Sequence, residues 1–264
     1  MVFSELFVLG SGTIVPLPHH GCAGYLLRAP GNCILMDCGP GTLVRLADAG
    51  VSASDVDTVL ISHFHVDHVS DVAALLSSRF RLAQGARLKL EICGPAGMRD
   101  YLAWLGARMD PWFSDMEIAV READGGPFEV GGLAIRAVRT GHTPEGICFR
   151  LEDDLGRVLF YSGDTDYNEA LLPLARDADI ALVECSMPDE NKADGHLTPR
   201  LAARLAQRAG VRRLVLTHFY REVTEVDILA RAGEVFEGPI VLAEDGMSIP
   251  FADIRETTRR RAES

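Results

Sequence analysis

The stretch Ser62–His68, SHFHVDH, holds three of the chain's eight histidines and an aspartate. It directly follows the apolar run Val56–Ile61, VDTVLI. A strand ending at Ser62 would direct the side chains of His63 and His65 to the same side, because side chains alternate along a strand. The stretch therefore predicts a strand that delivers imidazoles to one place.

The residues that follow extend this cluster. Asp67 and His68 are predicted to begin a helix that continues through the segment VSDVAALL. Imidazole and carboxylate groups are ligands of borderline metal ions such as Zn²⁺. A single histidine is typical of a satisfied polar core, but several buried imidazoles without a metal would leave ring nitrogens unpaired. The spacing therefore favours a metal site.

Three further ligand-type residues each follow an apolar, strand-like run. His142 follows LAIRAVRTG, Asp164 follows RVLFYSG and His218 follows VRRLVLT. Functional groups in open α/β sheets gather beyond the carboxyl ends of strands. Together with the first cluster, these residues suit two metal ions that share a ligand.

Composition limits the possible partners. The chain has 264 residues, enough for one large domain or two small ones. Its formal net charge of −12 disfavours extended nucleic acid as a partner. Every apolar run is shorter than the about 18–20 residues that a membrane span needs, and the N-terminal stretch is predicted to be a first strand and not a signal peptide. The six cysteines contain no CxxC pair and predict the reduced thiols of a cytoplasmic protein.

Short apolar runs alternate with helical patterns along the chain, which predicts α/β layers with helices outside one or more sheets. The strand-like runs are ELFVLG, GYLLRA, CILMDCG, TVLISH, LKLEICG, LAIRAVRT, GICFRLE, RVLFYSGD, IALVECS, RLVLTHF and PIVLAED. The helical patterns are Thr42–Ala49, Val69–Leu82, Met98–Leu105, Asn168–Ala175 and Pro199–Ala209.

The segment 107–130 is the least regular of the chain, with Asp110-Pro111, Gly125-Gly126-Pro127 and the exposed-looking aromatics Trp112 and Phe113. It is interpreted as a surface loop or, because unpaired aromatic residues often mark binding surfaces, as a lid or a dimer contact. The charged tail RETTRRRAES is predicted to be a frayed end.

The order HxHxDH, then His142, then Asp164 in SGDT and His218 in LTHF resembles the metallo-β-lactamase superfamily. Several stretches are more narrowly similar to the ribonuclease Z-type branch: LGSGTIVPLPHHGCAGYLL, LMDCGPGT, CGPAGMRDYL, YSGDT and GHLT. The resemblance implies one domain over residues 1–264, a four-layer αβ/βα sandwich of two mixed sheets with outer helices. It also implies two divalent metal ions and a homodimer. Zinc is the preferred ion, with manganese or iron as alternatives.

The resemblance also implies a role for each ligand-type residue. His63, His65 and His142 hold one metal, Asp67, His68 and His218 hold the other, and Asp164 bridges the two. Asp37 corresponds to an aspartate that supports the ligating histidines from outside the ligand set. An equally good interpretation makes Asp37 a turn residue before Gly39-Pro40-Gly41.

The implied activity is hydrolysis of small cyclic or activated phosphodiesters. A hydroxide between the two ions would attack phosphorus, with Asp67 at the reacting centre as well as among the ligands. His196 in GHLT would donate a proton to the leaving group, and Glu184 would orient His196 or simply cap a strand. The alternative for His196 is a loop histidine ahead of the helix N-cap formed by Thr198 and Pro199.

The substrate is predicted to be a small molecule. Ribonuclease Z proper carries a tRNA-gripping arm inserted between its third-motif histidine and the bridging aspartate. Here only two strands and the turn Glu152–Gly156 join His142 to Asp164. Weaker candidates for substrate contact are His19, His20, Arg221 and Trp112, for which solvated surface positions are the simpler interpretation.

Three alternatives stay open. A lactonase of the same superfamily would need an apolar groove, for which Trp104, Trp112 and Phe113 are candidates. A ribonuclease Z-type endonuclease would cleave RNA near its 3′ end. A partner-binding scaffold would not be an enzyme. Asp164 stands where lactamases with a cysteine ligand have that cysteine, so hydrolysis of β-lactams is disfavoured.

Overall fold

The first of two sheets is built mainly from the N-terminal part of the chain. The computed structural model describes residues 1–83, 85, 88–109, 112–123, 125–130 and 132–252. This sheet contains β1 (Glu5–Gly10), β2 (Gly24–Ala29), β3 (Asn32–Met36), β4 (Thr58–Leu60), β5 (Leu90–Gly94), β6 (Ile118–Glu122) and β14 (Ser248–Pro250). The strands lie in the order β14-β1-β2-β3-β4-β5-β6, antiparallel from β14 to β3 and parallel from β3 to β6.

The second sheet repeats this mixed pattern. Its strands are β7 (Pro127–Val130), β8 (Leu133–Arg139), β9 (Ile147–Glu152), β10 (Val158–Tyr161), β11 (Ile180–Glu184), β12 (Leu214–Thr217) and β13 (Ile240–Leu242). They lie in sequence order, antiparallel from β7 to β10 and parallel from β10 to β13. The strands β8, β10, β11 and β12 therefore point the same way and end at the same edge.

Helices cover the outer faces of both sheets. They are α1 (Thr42–Asp48), α2 (Val66–Val69), α3 (Val72–Ala83), α4 (Met98–Met109), α5 (Leu172–Ala175), α6 (Pro199–Ala209), α7 (Arg221–Thr224) and α8 (Ile228–Gly233), with short 3₁₀ turns at Ala53–Asp55, Phe113–Asp115, Glu169–Leu171 and Asp189–Asn191. The helix α6 shows why such a segment forms. Thr198 caps its N-terminus by accepting from the Leu201 N–H, Pro199 occupies the first turn, and Gly210 ends the helix with a φ of 68°.

Three apolar cores hold these layers together. Side chains such as Leu6 and Phe149 fill the space between the sheets. Leu46 and Leu76 pack helices α1 and α3 on the first sheet, and Leu205 packs α6 on the second sheet. The order helix, sheet, sheet, helix confirms the predicted four-layer αβ/βα sandwich.

The prediction of one continuous helix from Asp67 through VSDVAALL is wrong. The structure has two helices, α2 and α3, separated by Ser70 and Asp71. The Asp71 N–H donates to the carbonyl of Cys38 at 2.9 Å, so it cannot continue the hydrogen-bond ladder of α2. The Asp71 carboxylate accepts from the Leu43 N–H at 3.1 Å. A tie to the loop after β3 therefore breaks the helix.

The prediction of an irregular segment over 107–130 is also wrong, because β6 and β7 lie within it. Trp112 and Phe113 are half-buried and not exposed. Trp112 stacks on Phe80 with ring centroids 5.0 Å apart and lies 6.3 Å from the Phe113 ring. The predictions for Asp110-Pro111 and for the tail RETTRRRAES fall outside the described residues, and the lid or dimer role stays a prediction.

Two predictions from composition can be compared with the structure. The six cysteines, all within the described ranges, are free thiols, and four of them are buried. Over the residues that the structure describes, none of the helices is both long enough and apolar enough to cross a membrane.

Candidate metal centre

The ends of strands from both sheets bring the candidate ligands together. Asp37 follows β3, and His63 follows β4. His142, Asp164 and His218 follow β8, β10 and β12 of the second sheet. Two of these residues have left-handed backbone conformations, with φ of 54° at Asp37 and 60° at His218. Backbone strain of this kind is concentrated at functional sites.

The seven predicted ligands fall into two adjoining groups, within each of which the ligand-type atoms lie within 4.8 Å of one another; a third such group, Asp164, His196 and His218, shares one residue with each. The first group is His63, His65, His142 and Asp164, and the second is Asp67, His68 and His218. The structure therefore brings together all seven residues that the sequence singles out.

Asp164 faces both groups, one with each carboxylate oxygen. Its Oδ2 lies 3.7 Å from His63 Nε2 and 3.6 Å from His142 Nε2. Its Oδ1 lies 3.4 Å from the Nε2 atoms of both His68 and His218. A carboxylate placed this way could be shared by two cations, one held by each group.

Asp37, which is not one of the seven predicted ligands, orients two of the histidines. His68 Nδ1 donates to Asp37 Oδ2 at 2.6 Å. Ser62 Oγ donates to the same oxygen at 2.7 Å and lies 3.0 Å from His63 Nδ1, from which it accepts. Tyr161 also donates its hydroxyl to Asp37. With Nδ1 engaged, each imidazole presents Nε2 to the centre, as outer partners of metal-ligating histidines do.

Two other histidines are oriented from the second sheet. His142 Nδ1 donates to the carbonyl of Gly195 at 2.9 Å. Gly195 has a φ of 80°, and a Cβ there would lie 2.9 Å from His142 Nδ1, so only glycine fits. His218 Nδ1 donates to Ser186 Oγ at 3.0 Å, and Ser186 in turn donates to Glu184.

Buried polar atoms in the centre lack a hydrogen-bond partner. His63 Nε2 and Asp164 Oδ1 are buried and have no such partner within the described part of the chain. Leaving such atoms unpaired is costly, and a cation would satisfy both. These orphaned atoms fit a site built to hold a metal.

The protonation states fit a metal as well. Burial, with the charge of His68, lowers the pKa of His63 to about 2, and burial lowers the pKa of His142. Both imidazoles are therefore neutral, which is the form that ligates a metal. Burial raises the pKa of Asp164, but His218 and His68 outweigh it and hold that pKa well below its ordinary value.

His68 shows how much negative charge the centre holds. Burial lowers the pKa of His68, but the carboxylates of Asp164 and Asp37 outweigh it and raise that pKa well above the ordinary value. Without a metal, His68 therefore favours its protonated form, whose positive charge compensates the carboxylates of the centre. Divalent ions would supply that positive charge instead, and the nitrogen and oxygen donors suit zinc, manganese or iron.

His196 stands beside the ligand groups and is held by Glu184. Its Nδ1 lies 3.2 Å from both carboxylate oxygens of Glu184, which is itself fixed by the N–H groups of Thr165 (2.6 Å) and Leu197 (3.1 Å). The His196 ring centroid lies 4.6 Å from that of His142. Burial lowers the pKa of His196, but the hydrogen bond and charge of Glu184 outweigh it and raise that pKa.

The weaker candidates lie in varied surroundings. His20 Nδ1 lies 2.8 Å from Ser11 Oγ, and its ring packs edge-on against Phe219. His19 and Arg221 are exposed, and Trp112 packs on Phe80. Their roles in substrate binding stay predictions.

Sequence reasoning missed Ser62, Ser186, Tyr161 and Tyr220. The Tyr220 ring lies 6.0 Å from His196 and 5.9 Å from His218. Burial and the charge of Asp67 raise the pKa of Tyr220 to about 12, so its hydroxyl stays protonated at neutral pH. The sequence offers one signal for Tyr161 and Tyr220, which is their nearness to the predicted ligands Asp164 and His218.

Comparisons with known proteins agree with this geometry. The family model described as "Beta-lactamase superfamily domain" matches residues 32–219. An uncharacterized protein of Mycobacterium tuberculosis (strain ATCC 25618 / H37Rv) is 34% identical over 91% of this chain and 89% of its own length. A protein named ribonuclease Z from Mycobacterium sp. (strain KMS) is 31% identical over 91% of this chain and 94% of its own.

Solved structures share the fold. The metallo-β-lactamase fold protein YhfI from Bacillus subtilis has a TM-score of 0.82 and 24% identity, over 94% of this chain and 100% of its own. The short form of human tRNase Z has a TM-score of 0.76 and 27% identity, over 93% of this chain and 98% of its own. This fold implies divalent metal binding and supports a hydrolase activity. The chain therefore belongs to the metallo-β-lactamase superfamily, within its ribonuclease Z-like branch.

Proposed function

We propose that this chain is a dinuclear metal-dependent phosphodiesterase that acts on small, cyclic or activated phosphodiesters. The position of His196 carries the proposal. Its ring adjoins the ligand group at His142, and the hydrogen bond and charge of Glu184 raise the pKa of His196, which favours the protonated form. The departing alkoxide of a phosphodiester needs a proton, and a positioned imidazolium can donate one.

The ligand roles follow the two groups of atoms. We assign His63, His65 and His142 to one ion, Asp67, His68 and His218 to the other, and Asp164 to both, with zinc as the preferred metal. Divalent ions held there would supply the nucleophile by lowering the pKa of water, and would neutralise charge on the phosphate. Asp67 belongs to this reacting centre and takes part in catalysis through the nucleophile that it helps to place.

The protein's own groups supply the remaining steps. Asp37 fixes the rings of His68 directly and of His63 through Ser62, so the ligand atoms are oriented before substrate binds. Glu184 holds His196 by Nδ1, which leaves Nε2 to donate the proton to the leaving oxygen. The Ser186 hydroxyl links Glu184 to His218, so the proton donor and a ligand share one hydrogen-bonded support.

The connection between His142 and Asp164 favours a small substrate. It consists of β9 and β10 joined by a tight turn, in which the Gly156 N–H donates to the Asp153 carbonyl at 2.8 Å. This leaves no room for an RNA-gripping arm at that place. The net charge of −12 also opposes an extended polyanion.

RNA cleavage near the 3′ end is the second candidate, because relatives of this chain are named ribonuclease Z. A lactonase finds less support. Its acyl groove would need Trp104, Trp112 and Phe113, whereas Trp112 stacks on Phe80 and Trp104 packs against Arg108. The scaffold alternative is opposed by the complete set of ligand-type residues.

One experiment separates these possibilities. Wild type and His196→Ala would be analysed for bound metal and assayed with bis(p-nitrophenyl) phosphate, a cyclic phosphodiester, a precursor tRNA and a long-chain acyl lactone. We expect wild type to turn over the small phosphodiesters, and His196→Ala to lose about 10²–10⁴-fold in kcat with metal retained. Asn191→Ala, in the same surface segment, is the control and should match wild type.

Three results would contradict this proposal. Faster turnover of the lactone or of the precursor tRNA than of any small phosphodiester would assign the chain to that alternative. Full activity of His196→Ala would remove the proton donor from the mechanism. A folded protein that binds no divalent ion would support the scaffold.

A further inference from the structure

Asp245 is not one of the seven predicted ligands and lies in the turn through which the chain passes from β13 of the second sheet to β14 of the first. Its side chain is only 15% exposed. Asp245 Oδ1 accepts hydrogen bonds from the N–H of Ser11 at 3.0 Å and from its hydroxyl at 2.9 Å. Asp245 Oδ2 accepts from the Gly21 N–H at 2.8 Å and from Arg45 Nε at 3.1 Å. This carboxylate therefore holds both ends of the loop between β1 and β2.

The end of this loop at Ser11 is joined to the backbone beside a predicted ligand. The Phe219 N–H donates to the Ser11 carbonyl at 3.0 Å, and Phe219 directly follows His218. His20 adds a second contact, because its Nδ1 lies 2.8 Å from Ser11 Oγ and its ring packs edge-on against Phe219. Since the Ser11 hydroxyl donates to Asp245, it accepts from His20. Asp245 is thus connected through Ser11 to the backbone that presents His218.

The same loop contacts a second predicted ligand. The Ile14 N–H donates to Asp67 Oδ2 at 3.1 Å. The two sides of the loop are joined where the Gly12 N–H donates to the Gly21 carbonyl at 2.7 Å, and Asp245 accepts from the N–H of Gly21. With its ends held in this way, the loop fixes the N–H that orients the Asp67 carboxylate.

Both ligands that are connected to Asp245 belong to the second group of ligand-type atoms. The first group is supported elsewhere. The hydroxyl of Ser62 accepts from His63 at 3.0 Å. The carbonyl of Gly195 accepts from His142 at 2.9 Å. The contacts of Asp245 therefore lead to one of the two assigned metal ions.

We propose that Asp245 is a positioning residue for the metal ion of the second group, and that its carboxylate determines how tightly this ion is held. The inference rests on the ligand assignment of the proposed function and extends it to a residue outside the ligand set. Ligands that are fixed before the ion arrives lose little conformational freedom when it binds, and outer partners of this kind govern metal affinity. An amide at position 245 would leave Arg45 without its opposite charge and would turn an NH₂ group towards N–H donors.

Zinc binding to the metal-free protein tests this role without turnover. Competition with a chelator would give two dissociation constants for wild type, for Asp245→Asn and for Ser11→Ala. We expect one constant to rise by about tenfold or more in Asp245→Asn while the other stays unchanged. Ser11→Ala removes only the hydroxyl and should show a smaller rise in the same constant, and it provides the test if Asp245→Asn does not fold. The control is Glu244→Gln, an exposed neighbour in the same turn, which should keep both constants.

Two further variants identify the ion that is affected. His142→Ala removes a ligand of the first group, and His218→Ala removes one of the second. Added to these variants, Asp245→Asn should weaken the zinc that remains in His142→Ala and leave the zinc that remains in His218→Ala unchanged. A residue with only a general structural role would weaken both alike.

The outcomes separate this inference from the proposed function. Unchanged constants in both Asp245→Asn and Ser11→Ala, or equal losses at the two ions, would overturn the positioning role and leave the phosphodiesterase proposal intact. Wild type that binds fewer than two zinc ions would overturn both.

Discussion

His196 and Glu184 form a pair in which one imidazole nitrogen lies 3.2 Å from both oxygens of one carboxylate. Glu184→Gln keeps an oxygen for one of the two N–H donors, Thr165 or Leu197, and removes the charge that raises the pKa of His196. A proton donor works only when protonated, so activity falls as pH rises through its pKa. We therefore expect the alkaline limb of the kcat–pH profile to move to lower pH in Glu184→Gln.

The measurement is kcat for an activated phosphodiester over a range of pH, with Asp194→Asn as the control. Asp194 is exposed in the same segment, and its variant should keep the wild-type profile. At neutral pH, kcat of Glu184→Gln should fall by about tenfold or more. An alkaline limb that stays in place would show that Glu184 does not set the protonation of the donor.

Asp37→Asn should weaken metal binding. The backbone conformation at position 37, with a φ of 54°, tolerates asparagine. The substitution removes the negative charge of the carboxylate, whose Oδ2 accepts hydrogen bonds from His68, Ser62 and Tyr161. We expect zinc affinity to fall by about 10–100-fold in a competition titration with a chelator. The exposed Asp48→Asn is the matched control, and equal affinities of the two variants would contradict the supporting role.

Removal of metal should lower thermal stability. Without a cation, the buried carboxylates Asp67 and Asp164 stay ionised next to each other, because neighbouring histidines hold both pKa values low against the effect of burial. At a free zinc concentration of about 100 times Kd, bound zinc stabilises the folded state by about 2.7 kcal/mol per ion. Calorimetric scans before and after chelation should show a fall in Tm that added zinc reverses. An unchanged Tm would argue against an occupied centre in the native protein.

Arg79→Met should lower the free energy of unfolding, because Arg79 ties helix α3 to the loops around the first sheet. Arg79 in α3 is only 2% exposed, and its guanidinium donates to the carbonyls of Ala53 and Lys89, each at 2.8 Å. Methionine fills similar space but leaves these acceptors unpaired, which costs about 3 kcal/mol. Urea unfolding would measure the loss. The exposed Arg81→Met, two positions away, should stay within about 0.5 kcal/mol of wild type, and similar losses in both variants would refute the buried role.

Apolar runs made most of the fold predictable from the sequence. All eleven strand-like runs, ELFVLG and IALVECS among them, correspond to strands, and most of these strands are largely buried. The strands β6, β7 and β14 were missed because each has at most five residues, and exposed and less exposed positions alternate along them. Edge strands of this kind form because a neighbouring strand pairs with them. The local sequence does not identify that neighbour, so it does not predict the strand.

The seven ligand-type residues were predictable because each carries chemistry that is unusual at a strand end. Their supports were not, because the partners are far apart in sequence. Tyr161 donates to a carboxylate 124 positions away, and Ser11 to one 234 positions away. Serine, tyrosine and aspartate are also ordinary surface residues, so nothing in their local sequence marks these buried contacts.

The place of β14 has a consequence for biosynthesis. The strand β1 pairs on one side with β2 and on the other with residues 248–250, which the ribosome adds more than two hundred positions later. Until then that side of β1 is an open edge, a site where nascent chains can associate wrongly. Completion of the N-terminal sheet therefore waits until β14 has been made, and a chain stopped before β14 would leave the ribosome with an unprotected strand.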